Sequence, residues 1–244
     1  MSFITAKNLT RRYDLSDPWI VRQLTFRPKR FLTAVNDVSF SVEKGTTYAL
    51  VGESGSGKST IAKMAVGLLA PSAGTITLDN HNLNDRNLSP QSQQSMRRRI
   101  QMVFQSPYAS LNPRWRVGDI LAEPIQSFDL IQGAKNQAKR VDELLEQVGL
   151  SPSDAKKYPH EFSGGQRQRI SLARSLLINP QILLFDEPTS FTDDAGKHEF
   201  SRLLRQSLKD KTIIIVTHDQ QLCEVADKVY KLDHGFLAQV QKER

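Results

Sequence analysis

The stretch that most constrains this chain is Gly52-Glu53-Ser54-Gly55-Ser56-Gly57-Lys58-Ser59-Thr60, which follows the apolar run Tyr48 to Val51 and satisfies the spacing G-x-x-x-x-G-K-[ST]. Glycines let such a loop close tightly, its backbone N–H groups point inward, and a helix beginning at Lys58 adds partial positive charge. The loop is shaped for phosphate. Lys58 is expected to reach the β- and γ-phosphates of a nucleotide, and the Ser59 hydroxyl to ligate Mg²⁺. A glycine-rich turn that happens to precede Lys and Ser is the plain alternative, and the strand before and the helix after argue against it.

The rest of the chain fits an α/β layout around this loop. The segments FITAKNLT, AVNDVSFSV and TTYALVG read as strands. A helix is predicted from Lys58 to about Leu69, stopped by Pro71, and GTITLD returns as a strand. From about Ser106 to Arg174 the pattern is mostly helical, as in AKNQAKRVDELLEQVGL, with breaks at Pro107, Pro113 and Pro159. We therefore expect residues 106–173 to be an inserted helical subdomain, and residues 1–105 with 174–244 to form the catalytic core. ILLFD and TIIIVTH then alternate with helical stretches, the order of a parallel sheet flanked by helices. A last hairpin, DKVYKLDHGFLAQV, is predicted to turn at His234-Gly235. Neither an internal repeat nor a low-complexity tract is present.

Composition narrows the setting. Hydrophobic residues make up 39% and charged residues 24%, and no apolar run approaches the length needed to cross a bilayer. The start MSFITAKNLTRRY lacks the parts of a secretory signal. Cys223 is the single cysteine, so no internal disulfide can form, and a reducing cytosolic setting fits. A net charge of +7 suits nucleic acid, an anionic membrane surface or phosphate ligands, and does not choose among them.

A second piece of chemistry lies at ILLFDEP, an apolar strand that ends in two acids. Asp186 is expected to hold Mg²⁺ through water, and Glu187 to orient or deprotonate the attacking water. In isolation a solvated strand end before a proline turn would read the same. The phosphate loop tips the reading toward catalysis.

Between the two motifs, FSGGQRQRISLARSLL makes the sequence resemble the ABC ATPase family, with Ser163-Gly164-Gly165-Gln166 matching its signature and Phe162 in place of the usual leucine. A serine and glycines opening a helix offer hydroxyl, backbone N–H and dipole to an anion. The resemblance implies that this element faces the γ-phosphate held by the opposite subunit, so that two chains sandwich two ATP molecules. It further implies that Gln105 touches Mg²⁺ and links the core to the helical subdomain. His218 then contacts the γ-phosphate, and Tyr13 stacks on adenine, with a packed surface tyrosine the alternative. The fold implied is a P-loop NTPase ABC cassette: a mostly parallel core sheet, an N-terminal antiparallel β region and the inserted helical subdomain. The remaining histidines, His81, His160, His198 and His234, have no metal-ligand spacing.

SPYASLNPRWRVGDILAEPI and YPHEFSGG resemble the branch of importer ATPases that serves peptide, dipeptide and nickel uptake. That branch implies two transmembrane permease subunits, an extracytoplasmic binding protein, and a peripheral place at the cytoplasmic face of the membrane. Leu111, Pro113 and Trp115 become candidates for docking on a permease helix, a role that ordinary subdomain packing would equally explain. Many relatives extend past the cassette in a further C-terminal segment, whereas this sequence stops at Arg244 soon after the last hairpin, which favours the shorter members, nickel and metal-chelate importers among them; the expected solute is of peptide or nickel/metal-chelate type. SFTD stands at Ser190 to Asp193 where the family usually has SALD. The resemblance implies that this loop lies beside the two-fold axis of a paired cassette, where two Phe191 rings would crowd each other, so a second, non-identical ATPase subunit is the expected partner, with aromatic stacking across the axis the competing outcome in favour of self-pairing. DPWIVRQLTFRPKRF, residues 17–31, inserts aromatic and basic residues between the first two strands, for anionic headgroups, a partner, or simply as a solvated hairpin.

Nucleic-acid machines use the same kind of nucleotide site, but interrupt it with coiled coils or zinc modules. Here Gln105 and Ser163 are separated by a compact segment with neither heptads nor cysteines, so no nucleic-acid partner is expected. A module that holds ATP without cleaving it would lack the acid, and Glu187 and His218 both stand.

Overall fold

Residues 182–186 and 212–216 are buried at every position, unlike the alternating burial of a strand with one wet face. Such runs suit a parallel sheet covered on both sides. In the computed structural model they pair in parallel, from Ile182 opposite Thr212 to Asp186 opposite Val216. The structure describes residues 2–26, 28–85, 87–104, 110–190, 192–233 and 235–240.

In chain order the strands are β1 (Ser2–Asp14), β2 (Phe31–Glu43), β3 (Thr47–Val51), β4 (Ala73–Leu78), β5 (His81–Asn82), β6 (Ile100–Val103), β7 (Ile182–Asp186), β8 (Thr212–Val216), β9 (Lys228–Asp233) and β10 (Phe236–Val240). The α-helices among the described residues are α1 (Trp19–Thr25), α2 (Lys58–Ala65), α3 (Pro90–Arg99), α4 (Val117–Ser127), α5 (Ala134–Gln147), α6 (Gly164–Leu176), α7 (Asp194–Ser207) and α8 (Gln220–Val225), with short 3-10 turns at Pro152–Lys156 and Pro159–Glu161. They fall into two compact units, one of Met1–Lys44, Leu50–Asn87 and Lys228–Arg244, the other of Gly45–Ala49 and Leu88–Asp227.

The first unit carries a four-stranded antiparallel sheet in the order β2-β1-β4-β5. Its long strands bend at irregularities where Asn8 and Asp37 take positive φ, and the Asn8 amide donates to the Asp37 carboxylate at 2.7 Å. The antiparallel hairpin β9–β10 belongs to the same unit, with Gly235 at φ +83 in its turn; His234 lies outside the described residues.

In the second unit β6, β7 and β8 run parallel, and the order continues through β8 to the first residues of β3. Its core joins the sheet to helices α4, α5 and α6. In α5 the buried Val141, Leu144 and Leu145, followed by Val148, recur at the spacing of one helix face. They meet Leu121, Ile125 and Ile170, all fully buried, while Phe185 packs edge-on against Phe200 with ring centroids 5.3 Å apart. The α/β class, with a mostly parallel sheet and an N-terminal antiparallel region, is as the sequence predicts.

Three local readings change. Helix α2 ends at Ala65 rather than near Leu69, because Gly67 turns to φ +72 and the N–H groups of Gly67 and Leu68 bond back to Met64 and Lys63. The insertion at 17–31 contains the short helix α1 instead of a plain hairpin. Helix α3 has no counterpart in the sequence reading, since it buries no residue and so shows no apolar period. Its start was nonetheless written in Ser89-Pro90, a cap followed by proline in the first turn, with the Ser89 hydroxyl accepting from Ser92 N–H.

Candidate nucleotide site

The phosphate loop joins β3 to α2 in the first unit. Gly52 sits at φ +153, and a Cβ there would lie 2.3 Å from the Leu232 carbonyl oxygen. At Gly57, φ +103, a Cβ would lie 2.2 Å from the carbonyl oxygen of Ala34. Both positions require glycine on steric and dihedral grounds at once. Lys58 opens α2 and is 8% exposed, yet its ammonium is well satisfied: it donates to the carbonyls of Gly52 at 2.8 Å and Glu53 at 2.7 Å. The positive charge is thereby pinned to the loop itself. Ser56 Oγ is buried without a hydrogen-bond partner among the described residues. A buried hydroxyl donor in a glycine-shaped loop at the start of a helix is a group that an anion would satisfy, so these residues fit a polyphosphate. Glu53, Ser54 and Gly55 form the exposed crest of the loop, while Ser59 and Thr60 are half-buried on α2. Tyr13, near the end of β1 opposite Leu32, belongs to the same unit and has the Arg11 guanidinium 4.9 Å from its ring centroid.

The acidic pair lies in the second unit. Asp186 is the last residue of β7 and is 4% exposed. Glu187 follows in a left-handed conformation, φ +50, uncommon for a side chain of this size. Its backbone is held there by its own N–H donating to Val216 O at 2.8 Å and by the Ser190 hydroxyl donating to Glu187 O at 2.6 Å. The consequence is a carboxylate turned out of the strand line and shielded, 12% exposed, with Oε2 2.8 Å from Nδ1 of His218. His218 stands just beyond β8, its ring 74% exposed. The parallel register of β7 and β8 therefore brings together two residues that are far apart in sequence.

Two residues the sequence reading did not single out fasten this pair. Thr189 Oγ1 donates to Asp219 Oδ2 at 3.0 Å, tying the loop after β7 to the loop after β8. Asp219 also caps α8, accepting from Gln221 N–H at 2.9 Å. An aspartate directly before QQLCEV was the available signal.

The signature opens α6 in this unit. Ser163 Oγ accepts from Gln166 N–H at 3.3 Å and Gln166 Oε1 accepts from Ser163 N–H at 3.0 Å, a reciprocal cap. Gly164 and Gly165 form the first turn beside a cavity of about 520 Å³ that Ser163, Gln166, Arg169 and Asp193 also line. A Cβ on Gly165 would lie 3.1 Å from Thr192 Cγ2, so the threonine that departs from the family pattern packs on the second signature glycine. Its hydroxyl donates to Thr189 O at 3.0 Å, and Asp193 caps α7. Gln105 and Phe191 lie outside the described residues.

Among the described residues no group of three or more His, Cys, Asp or Glu could by itself hold a metal ion. Mg²⁺ in nucleotide sites commonly takes one or two protein ligands and completes its shell with phosphate oxygens and water. A hydroxyl such as Ser59 and a carboxylate such as Asp186 fit that chemistry.

The family described as ABC transporter matches residues 35–190. YkfD of Bacillus subtilis is 41% identical over 87% of this chain, and the chain spans 65% of that protein's length. The oligopeptide transport ATP-binding protein OppF of the same organism is 39% identical over 90% of this chain, which spans 73% of it. Among solved structures, the dimeric ATP-binding cassette MJ0796 bound to ADP and Pi is 27% identical, with TM-score 0.83 over 98% of this chain and 100% of that one.

Proposed function

This chain belongs to the ABC transporter family, and from that premise we propose that it is the ATP-binding and ATP-hydrolysing subunit of an importer, working as one half of a nucleotide sandwich. The observation that carries the reading is the shielded Glu187 carboxylate held against His218 directly after Asp186. In it, Lys58 and the loop amides bind and orient the triphosphate, with Tyr13 against the base. Bound Mg²⁺ supplies charge neutralisation on the phosphates, with Ser59, Asp186 and Gln105 as its protein ligands. Glu187 orients the attacking water and takes its proton, while His218 holds the carboxylate in place and meets the γ-phosphate. Ser163 to Gln166 complete the site held by the other chain.

Residues 106–173 act as the helical subdomain that carries force to two permease subunits. No helix among the described residues is long and apolar enough to cross a membrane, and attachment runs through those permeases. The solute is a peptide in this reading, which OppF's designation as an oligopeptide transport protein supports. A nickel or metal-chelate solute has no such support. The chain purified from detergent-solubilised membranes is expected to bring polytopic permease subunits with it. Nucleic acid in their place would contradict the transport reading.

A further inference from the structure

Most of the large apolar side chains that stand exposed among the described residues fall between Leu15 and Leu32. Trp19 is 68% exposed, Leu24 77% and Phe26 91%. They are not loose ends, because the neck of the segment is closed: Leu15 N–H donates to Arg30 O at 2.8 Å and Arg30 N–H to Ser16 Oγ at 2.9 Å. Phe26 caps α1 in the left-handed conformation, φ +53. Glycine adopts that conformation without penalty and is the usual residue there, whereas a bulky side chain is strained by it. The ring on this strained backbone gains almost no packing within its own chain.

Charge indicates what it meets. Between Leu15 and Leu32 the sequence carries Arg22, Arg27, Lys29 and Arg30 against Asp17 alone. A second copy of the segment would set like charges against each other, which disfavours self-pairing. Aromatic and aliphatic side chains interleaved with cations instead suit the boundary between anionic headgroups and acyl chains. We propose that this insertion rests on an anionic bilayer surface, with Trp19, Leu24 and Phe26 entering the headgroup region and Arg22, Lys29 and Arg30 against lipid phosphate. The contact adds to any attachment through permeases and is independent of ATP chemistry, so it is tested on this chain alone.

The test is co-sedimentation of the full chain with phosphatidylcholine vesicles, with and without phosphatidylglycerol. Emission of Trp19 is read in parallel in a Trp115→Phe background, since these are the two tryptophans. Binding to the anionic vesicles with a blue-shifted emission is expected, and neither with phosphatidylcholine alone. Phe26→Gly relieves the backbone, so it should fold at least as well, yet it should weaken vesicle binding about tenfold or more. Lys29→Gln and Arg30→Gln should each weaken it roughly fivefold. Unchanged binding in these variants, equal binding to both vesicle types, or an emission shift obtained only on self-association or on adding a protein partner would overturn the proposal.

Discussion

Glu187→Gln is expected to slow ATP hydrolysis by about 10²- to 10⁴-fold while Mg-ATP binding persists. The substitution keeps the size of the side chain and an oxygen able to accept from His218, which stands 2.8 Å from the carboxylate. What it removes is the basic group that takes a proton from water, so the loss falls on the chemical step and leaves phosphate contacts alone. The observable is an ATP-bound species that persists in single-turnover experiments on the chain assembled with its partners. Hydrolysis at the unsubstituted rate would mean that another group activates the water, and the strained backbone at Glu187 would need a different explanation.

Lys58→Ala should weaken Mg-ATP binding by about 10- to 100-fold, the range for losing a charge-assisted contact in a shielded site, and bring turnover to background. Its ammonium is now held by the carbonyls of Gly52 and Glu53. Removing it frees those carbonyls at the mouth of an anion site as well as deleting the cation, so both changes oppose phosphate binding. Titration with a fluorescent ATP analogue reads the affinity. Wild-type affinity in the variant would remove the loop from the nucleotide site.

The parts of this molecule legible in its sequence are those where local chemistry and position coincide. Gly52, Gly57 and Lys58 carry their meaning in their spacing, because a tight loop between strand and helix admits few other residues. The buried strands β7 and β8 announce themselves as unbroken apolar runs. Other features depend on contacts that no local pattern encodes. The meeting of Glu187 with His218 comes from the parallel register of two strands, and the resemblance to a family, not periodicity, anticipated His218. The clamp of Thr189 on Asp219 spans two loops in the same way. Helix α3 was invisible for a different reason, since a helix that buries no residue has no period to read. The insertion at 17–31 shows its aromatic and basic residues in the sequence but not its fold, which is no plain hairpin. Its helix was missed because seven residues hold too few turns to establish a pattern.

Pairing is the central claim, because Ser163 to Gln166 are read as serving the nucleotide held by another chain. The most direct test is the per-chain rate of ATP hydrolysis, measured as the chain is diluted and then as a second ATPase subunit is added back. A composite site predicts a per-chain rate that falls toward zero on dilution and is restored by the second cassette, whether identical or not. A per-chain rate that stays constant on dilution to the limit of detection would show that one chain carries a complete site, and would contradict the account.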